Sequence, residues 1–190
     1  MSEQESETVR ADLAAMQRLA AGEDLALNEI MERWKSRLSA YLFRFTGNEN
    51  VAADLAQETF VRIYQGRAKF RPHGNFSTWL FGIAANLGRQ HHRWQRRHPT
   101  IPMEEAGESM ASGDPGASAE LREREQAICS AIASLPGDLR EALILSEYEE
   151  LSHAEIATVS ECSVKAVERR LSRAREQLRK QLSDYLSNPR

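Results

Sequence analysis

Apolar residues recur at alternating steps of three and four along almost all of this 190-residue chain, and no strand-like alternation of useful length interrupts them. That period permits helices packed on helices and little else, so the predicted class is all-α. The pattern is clearest at residues 151–180, LSHAEIATVSECSVKAVERRLSRAREQLRK. Ser152 followed three residues later by Glu155 makes a capping box, which starts a helix near His153 and turns Ile156 and Val159 inward. Glu161, Cys162 and Ser163 form a short turn. In the following helix Val164, Val167, Leu171, Ala174 and Leu178 share one narrow stripe that must pack.

The opposite face of that helix presents Lys165, Arg169, Ser172, Arg173, Glu176 and Lys180, with Glu168 and Arg179 beside it. Between Lys165 and Lys180 there are seven cations and two anions, in a chain whose formal net charge is −3. Such a local excess of positive charge is an electrostatic footprint for nucleic acid. A charged stripe alone also suits a solvated helix face. The capped helix and tight turn before it favour a helix-turn-helix, which places its second helix in the major groove.

Other classes are disfavoured. No apolar run approaches the roughly 18 residues needed to span a bilayer, so no membrane insertion is expected. The acidic start MSEQESE lacks the layout of a secretion signal, which predicts a cytoplasmic location. Cys129 and Cys162 lie far apart without ligand spacing and are expected to pack as small apolar residues. His91 and His92 stand beside arginines, where a solvated or phosphate-facing role is favoured over metal ligation. No nucleophile–base pattern, glycine-rich phosphate loop or HExxH occurs, so neither an enzyme, a metal site nor a cofactor is indicated.

Two helical modules are predicted. In residues 1–99 a short helix with Val9, Leu13, Met16 and Ala20 ends at Gly22. A long one follows, with Leu27, Ile30, Met31, Trp34, Leu38, Tyr41, Leu42 and Phe45 on one face. A third helix, from Val51 to about Tyr64, buries Ala52, Leu55, Ala56, Thr59, Phe60 and Ile63 and leaves Asp54, Gln57 and Glu58 toward solvent. After a break at residues 70–75, a fourth turns Trp79, Leu80, Ile83, Leu87 and Trp94 inward. Residues 100–120 contain five acids and no lysine or arginine, with Pro, Gly and Ser throughout, and read as a flexible, self-repelling linker. Residues 121–190 form the second module, with Ile128, Ile132 and Leu135, a stop and restart at LeuProGlyAsp 135–138, and Leu139, Ala142, Leu143 and Leu145 leading into the helix-turn-helix.

A second basic surface ends the first module. Residues 86–98 carry Arg89, Arg93, Arg96 and Arg97 and no acid. Asn86, Arg89, Arg93 and Arg96 share one stripe. This suits a polar reader beside phosphate-binding cations, although Asn86 and Gly88 interrupting a helix with solubilising arginines would give the same charge pattern. Unstacked bases need aromatic or amide surfaces, and Phe70, Phe76, Trp79 and Phe81 lie close by in sequence. Aromatics at helical spacing are more often core, and Trp79 is assigned there.

These residues resemble a known family. AspLeuAlaGlnGluThrPheValArgIleTyr at 54–64, continuing through AsnPheSerThrTrpLeuPheGlyIleAlaAlaAsn at 75–86, is similar to region two of bacterial RNA polymerase sigma factors of the extracytoplasmic-function (ECF) class. LeuProGlyAspLeuArgGluAla at 135–142, with the helix-turn-helix, is similar to region four. The resemblance covers residues from about Leu25 to Leu182. It implies partners: core RNA polymerase, through the clamp helices of its largest subunit and the beta flap, promoter DNA, and an inhibitory anti-sigma protein.

Residue by residue, it implies that Asp54, Gln57 and Glu58 dock on the clamp coiled coil. Asn86, with Phe70 and Phe81 nearby and Arg89, Arg93 and Arg96 alongside, would receive the minus-ten element. Lys165, Glu168, Arg169, Ser172 and Arg173 would read the minus-thirty-five element. Glu161 stands where the family often has Gly, and Lys165 and Ala166 where it has small or hydroxylated residues. Glu168 either accepts from a cytosine amino group or holds Arg169 or Lys165 in place. The implied function is promoter recognition and transcription initiation on behalf of the polymerase, with the linker carboxylates suited to a basic channel. The alternative is a stand-alone helix-turn-helix regulator that binds operators as a dimer.

Overall fold

The computed structural model describes residues 3–70, 75–98 and 119–183, and its described elements are helical. α1 spans Glu3–Ala20, α2 Ala26–Thr46, α3 Glu49–Gly66, α4 Phe76–Arg97, α5 Ala119–Ser134, α6 Gly137–Glu147, α7 His153–Val159 and α8 Val164–Gln181, with a 3-10 turn at Arg67–Lys69 after α3. Residues 99–118, most of the expected linker, lie outside the described residues.

Local chemistry sets the helix ends. Gly47 closes α2 in the left-handed region at φ 73°, where a side chain would be strained. Asn48 caps α3 by accepting from the Val51 N–H at 3.0 Å, and Asn75 caps α4 from the Ser77 N–H. Ser152 and Glu155 form the reciprocal capping box of α7, and Ser163 caps α8 by accepting from the Ala166 N–H. The turn between α7 and α8 holds Glu161 at φ 51°, a conformation that costs a residue with a Cβ about 1–2 kcal/mol. Glu161→Gly is therefore expected to leave stability within about 0.5 kcal/mol of the parent, strain relief offsetting unfolded-state entropy. The β-branched Glu161→Val should lower it by about 1–2 kcal/mol in thermal or urea unfolding.

In the first module α2 lies along α1, α3 and α4, and Ile30, Trp34, Leu38, Tyr41, Leu42 and Phe45 supply its buried face. Asp12 on α1 is buried against it, accepting from Arg33 Nε at 2.9 Å and Trp34 Nε1 at 3.0 Å. Burial pushes the Asp12 carboxyl above the usual range, against the lowering effect of those two donors. Gly88 on α4 is required by close approach rather than serving as a helix interruption. A Cβ there would meet the Phe45 ring at 2.6 Å.

The main difference from the sequence reading is the width of the buried faces. α6 buries Leu139 and every residue from Glu141 to Leu145, and α4 buries Phe76, Ser77, Leu80, Phe81, Ala84, Ala85, Leu87 and Gly88. A helix apolar around most of its circumference is covered on more than one side. Here α6 packs on both α2 and α8, and α4 on α2, α3 and α7. The two modules pack against each other, and their buried residues form one continuous apolar cluster.

Where no partner helix reaches, predicted core positions are open. Val9, Trp94, Ile128 and Val164 are 41–49% exposed, and Cys129, expected to pack, lies at the surface.

Candidate nucleic-acid and protein-docking surfaces

The second helix of the helix-turn-helix, α8, buries Val167, Leu171 and Ala174 and turns the cation-rich face outward. Lys165, Glu168, Arg169, Ser172 and Arg173 are all exposed. Of the seven cations, three are engaged: Arg170 with Asp138 and the Cys162 sulfur, Arg175 with Glu147 at 2.7 Å, and Lys180 with Glu176 at 2.9 Å. Lys165, Arg169, Arg173 and Arg179 make no ion pair among the described residues, and neither does Glu168. The sequence left open whether Glu168 holds Arg169 or Lys165 in place. In this arrangement it holds neither. Spaced about one turn apart along α8, Lys165, Arg169 and Arg173 form an exposed row of donors without an ion pair among the described residues.

On α3, Asp54 and Gln57 are exposed and Glu58 is partly so, bridged to Arg62 Nε at 2.8 Å within the same helix. Val61, one turn on and 46% exposed, adds an apolar contact to that acidic face. Sequence periodicity placed the acids and did not single out Val61.

The residues proposed around the end of α4 separate into two groups. Arg93 and Arg96 are exposed, Asn86 is half-buried, and Phe70 packs at 5.2 Å from the Trp79 ring and 6.1 Å from Phe76. Phe81 and Arg89 are covered in this arrangement. Phe81 is fully buried, with ring centroids 5.1 Å from Tyr41 and 6.0 Å from Trp34 of α2, so it is a core residue here and presents no face to a base. Arg89 points away from solvent: its guanidinium reaches Glu141 Oε1 at 2.8 Å and approaches the Val159 carbonyl. Both lie on the part of α4 covered by neighbouring helices.

That covering contact is polar as well as apolar. Glu141, 2% exposed, accepts from Arg89 and from the Ser160 hydroxyl at 2.7 Å. Glu149, equally buried, accepts from Arg37 Nε at 2.7 Å, and Arg37 also donates to the Glu149 carbonyl. Arg140 donates to the Phe45 carbonyl at 2.8 Å, and the Arg44 guanidinium lies 4.2 Å from the Tyr148 ring centroid. The capping carboxylate Glu155 accepts from Asn75 Nδ2 at 2.8 Å and from the Thr78 hydroxyl, so one side chain both starts α7 and ties it to α4.

Environment sorts these carboxylates. Burial pushes Glu149 above its ordinary range, with Arg37 opposing. Glu155 is also pushed up by burial, but its donors Ser152, Asn75 and Thr78 together outweigh this and hold it below the ordinary value. None of these interdomain pairs was visible in the sequence. Their partners lie 52 to 112 positions apart for the arginine–glutamate pairs, and only packing brings them together.

A helix-turn-helix with a cation-rich outer face here follows a helical module that carries acidic and basic surfaces of its own, and both parts match sigma-70-type subunits: residues 30–98 match Sigma-70 region 2, and residues 125–178 match Sigma-70, region 4. The chain is 32% identical over 188 residues to the RNA polymerase sigma-H factor of Pseudomonas aeruginosa PAO1, covering 94% of this chain and 97% of that one. It is also 32% identical over 174 residues to the ECF RNA polymerase sigma-E factor of Escherichia coli K12, covering 87% and 91%. In three dimensions it is similar to a chain in the structure of CnrH in complex with the cytosolic domain of CnrY, at TM-score 0.70 and 26% identity over 92% of this chain and 98% of that one. The chain belongs to the ECF class of bacterial RNA polymerase sigma factors. A stand-alone helix-turn-helix regulator is set aside, because residues 30–98, ahead of the helix-turn-helix, match Sigma-70 region 2.

Proposed function

We propose that this sigma factor divides its work between three surfaces: Asp54, Gln57 and Glu58, extended by Val61, meet the polymerase clamp helices; Lys165, Glu168, Arg169, Ser172 and Arg173 read the minus-thirty-five element; Asn86, Arg93 and Arg96 meet the minus-ten element. The observation that carries this reading is the outward row of Lys165, Arg169 and Arg173, exposed and without an ion pair among the described residues. Acidic docking surfaces steer toward basic partners, which suits α3. Holding two weak DNA modules on one polymerase raises their effective concentration for each other. Arg89 joins the minus-ten surface only when α4 is released from α7, so promoter engagement by Arg89 requires the modules to part. An anti-sigma partner would act by stabilising the packed arrangement, in which Glu141 holds Arg89.

The test is a separation of functions. Arg169→Ala and Arg173→Ala should each cost about 1–3 kcal/mol of promoter discrimination, roughly a 5- to 150-fold loss of transcription from the cognate promoter, with core-polymerase affinity unchanged. Asp54→Lys and Glu58→Lys should instead weaken core binding and leave isolated promoter contacts intact. If both sets lowered core affinity alike, the surfaces would not be distinct.

A further inference from the structure

Three carboxylates are buried among the described residues. Glu141 and Glu149 join the two modules, whereas Asp12 on α1, only 2% exposed, is bonded to α2 of its own module. α1 turns it inward with Ala15, Met16 and Leu19, where an apolar side chain could sit. Burying a carboxylate carries a desolvation penalty that its ion pair with the partly exposed Arg33 repays only in part. An apolar residue would hold α1 on α2 as well or better, so adhesion does not account for an acid here. What the acid adds is direction. Its two oxygens share the Trp34 Nε1–H, at 3.1 and 3.0 Å, and fix how the indole is turned.

That indole bears on the start of α4. Trp34 meets Phe76, the first residue of α4, at 5.7 Å between ring centroids and Phe81 at 6.0 Å. Phe76 in turn packs on Phe70 at 6.1 Å and on Trp79 at 6.2 Å. α1 also touches the 3-10 turn Arg67–Lys69, which leads to Phe70. We infer that Asp12 is a positioning residue for promoter opening: through the Trp34 indole it sets the placement of Phe76 and Phe70, and with them the start of the helix that carries Asn86, Arg93 and Arg96. This rests on the reading of α4 as the minus-ten surface and adds to it a support that touches no DNA. Close-packed rings pass a displacement on, because no free volume lies between them to absorb it. Arg37, whose guanidinium lies 5.3 Å from the same indole and binds Glu149, offers a rival route toward the contact between modules. The ring contacts favour α4, since Arg37 is already fixed by Glu149 while Phe76 has the indole as its link to α1.

The test uses the full chain assembled with core polymerase on a promoter it transcribes, with an aminopurine reporter in the minus-ten element. Closed-complex affinity and opening rate are read separately. Asp12→Leu should slow opening about tenfold, the rate equivalent of one lost hydrogen bond, with core and closed-complex affinities within about twofold of the parent. Asp12→Asn keeps an acceptor for the indole and should restore most of the parent rate. Arg33→Gln removes the charge partner but leaves the indole bond, so it should open at the parent rate even where its unfolding midpoint falls. Trp34→Phe should slow opening, and adding Asp12→Leu to it should slow opening no further. Parent-rate opening in Asp12→Leu, equal slowing in Arg33→Gln, or additive slowing in the double variant overturns the positioning role. So does an Asp12→Leu chain whose only change is a larger radius of gyration, which assigns the indole to Arg37 and the module contact. If Asp12→Leu does not fold, Trp34→Phe against Arg33→Gln decides, since only the first alters a ring. Arg93→Ala in the same assay separates the two readings. Unchanged opening and affinity there defeat the minus-ten assignment of α4 itself, whereas a defect there beside a normal Asp12→Leu defeats only the support.

Discussion

Glu141→Ala is expected to destabilise the packed chain by about 3–5 kcal/mol and to let the two modules separate. The size follows from what the substitution leaves behind. Glu141 is almost wholly buried and receives Arg89 and Ser160, so deleting its carboxylate strands a guanidinium between α4, α6 and α7. Breaking one member of a buried pair is costly because the other keeps its desolvation penalty. Arg89 retains about a quarter of its side-chain exposure, which places the expected value at the lower end of that range. Separating the modules is the cheapest way for Arg89 to regain water. The signature is therefore an increased radius of gyration by small-angle scattering, together with a lowered unfolding midpoint. Glu141→Gln, which keeps an acceptor for both donors, should lose less. An unchanged radius alongside unchanged stability would show that this pair does not hold the modules together.

Phe81→Ala should lower the unfolding free energy by about 3–5 kcal/mol, the cost of deleting a buried aromatic whose cavity only partly collapses. The ring meets Tyr41 and Trp34 edge-on, and these geometries add to the loss. Phe81→Leu, closer in volume, should cost less than about 1.5 kcal/mol. The pair of variants decides between two roles for one residue. If Phe81 received a base in the melted promoter, alanine would reduce open-complex formation with chemical stability untouched. A core role predicts the reverse order, with loss of the folded state first.

Helix positions were legible because they follow from local rules. The capping box of Ser152 and Glu155 and the stop at Gly47 each act within a few residues along one helix. The α8 stripe was equally readable, since a face that must pack fixes by geometry which residues point the other way. Reading was incomplete wherever a helix has two buried sides. The resemblance placed Phe81 and Arg89 at a minus-ten surface, and periodicity says only that α4 has an apolar face. It cannot say that α2 and α7 cover it from different directions. One sequence signal was available: the run AlaLeuIleLeu at 142–145 on α6 is too apolar for a helix with one solvent face. Trp94 differs in the opposite sense, being apolar and correctly spaced yet 49% exposed.

The amino-acid sequence by itself determined the all-α class, the helix-turn-helix, and the exposed charged faces on α3 and α8. Each of these depends on neighbours within a turn or two along one helix. Tertiary structure alone decided that Glu141 and Glu149 meet Arg89 and Arg37, that Phe81 is core, and that Trp94 stands free. Those outcomes depend on which helices approach one another across dozens of intervening residues, and no local period encodes that approach.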